Sequence, residues 1–238
     1  MSMTITNDDV SNAWATAYES TENEQSYPSE TLVRLIKGNY ITGERLDIKN
    51  KTVLDVGFGD GNNSVFLATL GMQVSGVEVH QTICDRVLNR LNRNGLSADL
   101  RVGSNKKLPF ADNSFDFLVS WNVLHYEGTE EGITTGIQEY ARVLKPGGRF
   151  FLSTTGPENL ILLNGKTLGN HQYEIRRPGD FRQGHVHFFF DAPNYIEFYF
   201  SPHFESLQIG RVEDMMFTEK LDWWLVTGLK NDVSLFTS

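Results

Sequence analysis

The stretch VLDVGFGDG, residues 53–61, limits what this chain can fold into more than any other part of it. Lys51 to Val56 is a short β-branched and leucine run ended by Gly57, the pattern of a strand buried on both faces of a parallel sheet. Asp55 stands near its end, and Phe58, Gly59, Asp60 and Gly61 follow before a helix-like stretch. Glycines let a backbone approach a ligand closely, and a helix start offers free N–H groups. Strand, glycine turn and helix in this order predict a nucleotide-type site.

Spacing narrows the ligand. A dinucleotide fingerprint, Gly-x-Gly-x-x-Gly, would need glycine at 62, where the chain has Asn62, and no Gly-Lys-Ser/Thr follows for a phosphate loop. Glu78 lies 17 positions beyond Gly61, at the end of the next strand-like run. Its carboxylate can accept two hydroxyl hydrogen bonds and disfavours a 2′-phosphate.

The rest of the chain alternates in the same way. Residues 1–28 are polar with scattered Trp14, Tyr18 and Tyr27, and read as a loose arm; Leu32, Leu35 and Ile36 then have helical spacing. A helix over 62–70 stops at Gly71, and 73–79 is the second strand. Ile83, Val87, Leu88 and Leu91 make one apolar stripe ahead of Gly95, and 99–102 is a third strand. LPFADN (108–113) is a turn and FDFLVS (115–120) a fourth strand. The helix 129–144 runs through Pro146-Gly147-Gly148 into a strand at 149–153. Alternation of this kind implies a parallel sheet with helices on both faces. Residues 156–184 are polar and turn-rich, too long for a plain connection, and are expected to cover a site at the sheet's carboxyl edge. A strand end at 185–190, a helix starting at Asp191 with Pro193, and a closing antiparallel hairpin at 204–212 and 216–229 complete the chain.

Asp55 with Gly57, Gly59 and Gly61 resembles the first motif of the class I S-adenosylmethionine-dependent methyltransferases. The likeness extends through Glu78, through Leu108-Pro109-Phe110 with Ser114-Phe115-Asp116, and through Arg142-Val143-Leu144-Lys145-Pro146-Gly147-Gly148. It implies a Rossmann-like α/β fold, a seven-stranded, mostly parallel sheet with an antiparallel C-terminal hairpin and strand order 3-2-1-4-5-7-6. It also implies S-adenosylmethionine as cofactor, with Glu78 on the ribose hydroxyls and Val79 against the adenine. Asp55 would orient the turn or bond the cofactor's amino group. Phe58 stands where the family often has a small residue, and Gly103-Ser104-Asn105 where it often has an acidic one, so the adenine amino group falls to Ser104 or Asn105. Trp121 and Asn122 would line the methionine end, and Tyr27 with Pro28 would fold over it.

The organisation this implies is one methyltransferase domain over 1–238. It has an N-terminal arm and helix at 1–40, a cofactor-binding core at 41–155, an inserted substrate-covering segment at 156–190, and a C-terminal helix and hairpin at 191–238.

The expected activity is methyl transfer to O, N or C of a small molecule. The competing readings are an NAD-dependent oxidoreductase and a cofactor-binding regulator without turnover. His125 and Tyr126, just beyond the fourth strand, are the candidate catalytic residues, His125 as base for an acceptor that arrives protonated. Arg176-Arg177 is a solvated charge pair or a partner for an acidic substrate. His185 and His187 have a spacing that places two imidazoles on one strand face, but no third ligand is evident, and no metal is expected.

A net charge of −9, without a run of five like charges, disfavours nucleic acid and anionic membranes as partners. The single cysteine, Cys84, excludes an internal disulfide, and MSMTITNDDV lacks the features of a signal peptide. A cytoplasmic setting is the expectation.

Overall fold

The computed structural model describes residues 7–19, 27–41 and 45–232. Chain contacts divide it into two compact units, Met1–Ser104 and Asn105–Ser238.

The first unit contains α1 (Asn7–Glu19), α2 (Glu30–Lys37), β1 (Thr52–Val56), α3 (Asn62–Thr69), β2 (Gln73–Glu78), α4 (Gln81–Arg93) and β3 (Ala98–Val102). β1 pairs in parallel with β2, Thr52 opposite Gln73, and β2 with β3, Val74 opposite Ala98. Val53, Leu54 and Val56 are buried, as a strand covered on both faces requires. The arm expected to be loose contains α1. Trp14 and Tyr18 are one helical turn apart and stack with ring centroids 5.6 Å apart, giving this polar segment an apolar side to bury. On α4 the buried stripe is Ile83, Cys84, Val87 and Leu91; Leu88, expected in it, is exposed. Leu88 falls at the edge of the stripe when positions are projected at about 100° per residue, and Cys84 falls inside it.

The second unit contains β4 (Phe115–Trp121), α5 (Glu130–Val143), β5 (Leu144–Thr155), β6 (Lys166–Gly169), β7 (Gln172–Glu174), β8 (Val186–Phe188), α6 (Pro193–Phe200), β9 (Phe204–Met216) and β10 (Glu219–Lys230). β4 pairs in parallel with β5, and β10 pairs antiparallel with both β5 and β9. The main sheet is seven-stranded, with order β3-β2-β1-β4-β5-β10-β9, the expected order once the small strands are set aside. Thr129 caps α5 by accepting the Gly132 N–H at 3.0 Å.

Two stretches singled out in the sequence form one hydrogen-bonded structure. Arg142 on α5 donates to the carbonyls of Leu108 at 3.0 Å and Phe110 at 2.8 Å, and pairs with Asp112 at 2.7 Å. The LPFADN turn is thus held by the arginine of RVLKPGG.

The segment read as polar and turn-rich contains short strands. β6, β7 and β8 form a separate antiparallel sheet, and Ile161, Leu162 and Ile175 give it a small core with Tyr173 and Phe189 packed against it. Its strands have three or four residues, so no periodicity was long enough to read. Among the described residues no helix is long and apolar enough to cross a membrane.

Candidate functional site

The glycine turn of the first unit is shaped by positive backbone angles. Gly57, Gly59 and Gly61 have φ of 63°, 54° and 75°, a region that L side chains rarely adopt. Space adds a second requirement at Gly61, where a Cβ would stand 2.3 Å from Val87 Cγ1 of α4. This is why the third glycine sits at 61: α4 packs directly on the start of α3.

Glu78 ends β2 beside this turn and is buried. Its Oε1 accepts the Gly59 N–H at 3.1 Å and its Oε2 the Val79 N–H at 2.7 Å. Burial raises its pKa; the two N–H donors and Arg86 work in the opposite direction. Asp55 lies in β1, fully buried, and accepts the Ser64 hydroxyl from the first turn of α3 at 2.6 Å. Loss of hydration pushes its carboxyl up to about 7.

Phe58, expected among the cofactor contacts, turns its ring into the core with Ile83, Cys84, Val87 and Leu91. The ring fills the space left by Gly76 on β2, where a Cβ would meet it at 2.6 Å, so any contact with a ligand falls to the Phe58 backbone. Tyr27 is 71% exposed. The aromatic residue on the turn is Tyr18 of α1, whose hydroxyl lies 2.5 Å from where a Cβ on Gly59 would stand. The i, i+4 pairing of Trp14 with Tyr18 was the available signal for it. Arg86 on α4 holds Tyr18 by donating to its carbonyl and by stacking 5.4 Å from its ring centroid, and also pairs with Asp60. Val79 is exposed, and Ser104 half-buried.

In the second unit, Asn105 is buried and both ends of its amide are used: Tyr140 donates its hydroxyl to Oδ1, and Nδ2 donates to Glu127 at 3.0 Å. The Asn105 side chain, expected among the ligand contacts, is therefore engaged within the protein. Trp121 ends β4, and Asn122 follows with φ of 59°, its Oδ1 accepting the Ser153 hydroxyl at 2.7 Å.

Next comes a 3-10 turn, Leu124–Glu127, which carries His125 and Tyr126. His125 is 2% exposed, its Nδ1 3.4 Å from the Thr154 hydroxyl. Burial, with Arg182 adding to it, holds its pKa down at about 3, so the ring is neutral at physiological pH. Against it stands His187 of β8, ring centroids 5.0 Å apart, with Tyr126 edge-on to His187 at 4.5 Å. His185, expected to share a strand face with His187, precedes β8 and is only half-buried. No group of three or more His, Cys, Asp or Glu that could hold a metal ion occurs among the described residues. Arg176 pairs with Glu174, and Arg177 with Glu219, both in exposed positions.

Comparison with known proteins bears on these two clusters. Residues 53–148 match a family described as a methyltransferase domain. Over this stretch the chain is similar to S-adenosylmethionine-dependent methyltransferase domains. Among curated relatives, the biotin biosynthesis bifunctional protein BioHC of Cellvibrio japonicus is 37% identical over 111 residues, covering 47% of this chain and 21% of that protein. The ubiquinone biosynthesis O-methyltransferase of Xanthomonas oryzae pv. oryzae is 32% identical over 120 residues, 50% of this chain and 48% of that one. The chain thus spans half or less of the length of these two relatives. Burkholderia thailandensis 1,6-didemethyltoxoflavin-N1-methyltransferase, solved with 1,6-didemethyltoxoflavin and S-adenosylhomocysteine, shares the fold. Its TM-score is 0.66 at 15% identity, over 98% of this chain and 93% of that one.

The site around Glu78 would fit the cofactor of such a domain in a specific respect. Each Glu78 oxygen accepts one backbone N–H and can accept a further donor, as two neighbouring hydroxyls would require.

Proposed function

We propose that this chain binds S-adenosylmethionine and transfers a methyl group to an oxygen, nitrogen or carbon of a small organic molecule. One observation carries the reading: the buried Glu78 carboxylate at the end of β2, bonded to the Gly59 N–H of the glycine turn. When bound, the cofactor supplies an electrophilic methyl group on a positive sulfur.

The chain's own residues hold and shield it. Glu78 takes the ribose hydroxyls, Gly57, Gly59 and Gly61 bring the backbone close, Val79 packs on the adenine and Ser104 bonds its amino group. Asp55 acts indirectly, through Ser64 and the start of α3. Trp121, Asn122 and Tyr27 line the methionine end, and Tyr18 shields the turn at Gly59. Methyl transfer is an in-line displacement, so alignment and exclusion of water are the main demands on the protein.

His125 and Tyr126 face the acceptor. A neutral imidazole with a pKa of about 3 is a weak base, so His125 serves better as a hydrogen-bond partner than as a full proton acceptor. The net charge of −9 favours a small acceptor over nucleic acid or an anionic membrane, and the free thiol of Cys84 suits the cytoplasm.

Calorimetry with S-adenosylhomocysteine, then release of label from methyl-labelled cofactor onto a panel of small acceptors, tests the reading. A folded protein that leaves S-adenosylhomocysteine unbound would defeat it.

A further inference from the structure

His187 is 1% exposed, and neither Nδ1 nor Nε2 has a hydrogen-bond partner. A neutral imidazole always presents one N–H and one lone pair. Burying both unmet carries the full penalty of lost hydration, and a buried polar group left so in a folded protein calls for a functional explanation.

The surroundings of His187 indicate what would meet it. His125 lies 5.0 Å from it and Tyr126 4.5 Å, while Trp223 stands 6.2 Å from His125, all as ring centroids. The cation beside them, Arg182, donates to the Tyr126 hydroxyl at 3.4 Å and is matched by Asp180 through bonds of 2.8 and 2.6 Å. The position of β8 is itself secured. Gln172 on β7 donates to the Gly128 carbonyl at 2.7 Å, and the Val186 carbonyl comes within 2.6 Å of where a Cβ on Gly128 would stand. The inserted sheet is thereby fixed against the turn that carries His125.

We propose that His187 and His125 form an acceptor subsite for an uncharged hydroxyl on a flat ring, a phenol or an enol, with His187 hydrogen-bonding that oxygen and Tyr126 and Trp223 flanking the ring. A hydroxyl both donates and accepts, which complements an imidazole that does the same. An ammonium group would meet the Arg182 guanidinium, and a carboxylate would find that guanidinium already matched by Asp180. Ring faces and edges favour a flat partner. This assignment rests on the methyltransferase reading and gives that reading a substrate class. It also gives the inserted sheet a role, because β8 delivers the His187 imidazole beside His125.

The test uses the full chain, labelled in its histidine rings and saturated with S-adenosylhomocysteine, titrated by NMR with phenol, benzylamine and benzoate. Phenol is expected to move the His187 ring signals and to bind at least about tenfold more tightly than the two charged probes. His187→Phe should weaken phenol at least about tenfold while leaving the S-adenosylhomocysteine Kd within about twofold, and His187→Gln, which keeps a donor and an acceptor, should retain part of the affinity. His187 signals unmoved by phenol in the loaded wild-type protein would overturn the assignment alone, as would undiminished phenol binding by folded His187→Phe. Failure of S-adenosylhomocysteine to bind would overturn the methyltransferase reading, and this inference with it.

Discussion

The Gly59 backbone N–H donates to Glu78 Oε1 at 3.1 Å, joining the glycine turn after β1 to the last residue of β2. With the Val79 N–H on the other oxygen at 2.7 Å, the carboxylate is oriented by main chain alone. Neither bond depends on a side-chain rotamer of the donor, so the acceptor is in place before any ligand arrives. Such preorganisation lowers the ordering cost of binding.

Glu78→Gln separates charge from shape. The amide keeps the volume but must point its NH2 at one of the two backbone donors, and it loses charge-assisted bonds worth about 1.5–3 kcal/mol each. The expected result is an S-adenosylhomocysteine Kd at least about tenfold weaker by calorimetry, with the thermal midpoint of the unliganded protein lowered by several degrees. An unchanged Kd would remove Glu78 from the site.

Gly61→Ala tests why the third glycine is where it is. A Cβ there would lie 2.3 Å from Val87 Cγ1, and the backbone φ of 75° is left-handed. Overpacking costs about 1–3 kcal/mol and the left-handed backbone about 1–2 kcal/mol more. Adding Val87→Ala should relieve the first cost and leave the second, so urea unfolding of the double variant should show a non-additive recovery. Strict additivity would mean that the Gly61–Val87 contact is not what requires glycine.

These residues also show how far the sequence could be read. β1, the glycine turn and the distant Glu78 were visible because strand, turn and carboxylate are local patterns. The parallel sheet followed from alternation, and the strand order from the resemblance. What escaped was set by long-range partners. Asn105 looked available to a ligand, yet Tyr140, 35 positions away, and Glu127 occupy its amide. Phe58 looked like part of the turn, yet Gly76 on the neighbouring strand leaves a space that draws its ring inward. Tyr18 was hidden in a polar segment whose one aromatic signal was an i, i+4 pair. The short strands β6 to β8 gave no period to detect, so the burial of His187 had no trace in the sequence.

Asp55 gives the stability a pH dependence of known sign. Its folded pKa is raised from 3.8 to about 7, so between these values the folded protein holds a proton that the unfolded chain releases. The contribution is fully present below 3.8 and is lost as pH rises through about 7. Glu78 is shifted in the same direction. Asp55→Asn keeps an acceptor for the Ser64 hydroxyl and cannot ionise. Urea unfolding from about pH 5 to about pH 8.5 should therefore show a shallower decline in the variant than in the wild type, by on the order of 2 kcal/mol. Parallel curves would show that the carboxyl titrates normally.

His187 carries the opposite sign. Its folded pKa lies well below the usual 6.5 because burial disfavours the imidazolium and His125 stands beside it. Its contribution is present above 6.5 and is lost as pH falls, since the unfolded chain then binds a proton that the folded one resists. His187→Phe removes that titration and also the two unmet ring nitrogens, each worth about 1–3 kcal/mol when left buried and unpaired. The variant should unfold at higher urea than the wild type at neutral pH, and by a wider margin at about pH 5, where only the wild type is weakened by protonation of the unfolded chain at this position. A variant less stable than the wild type at both pH values would show that the His187 nitrogens are satisfied in the folded protein. Higher stability joined to weaker phenol binding is the pairing expected of a residue kept for its ligand at the expense of the fold.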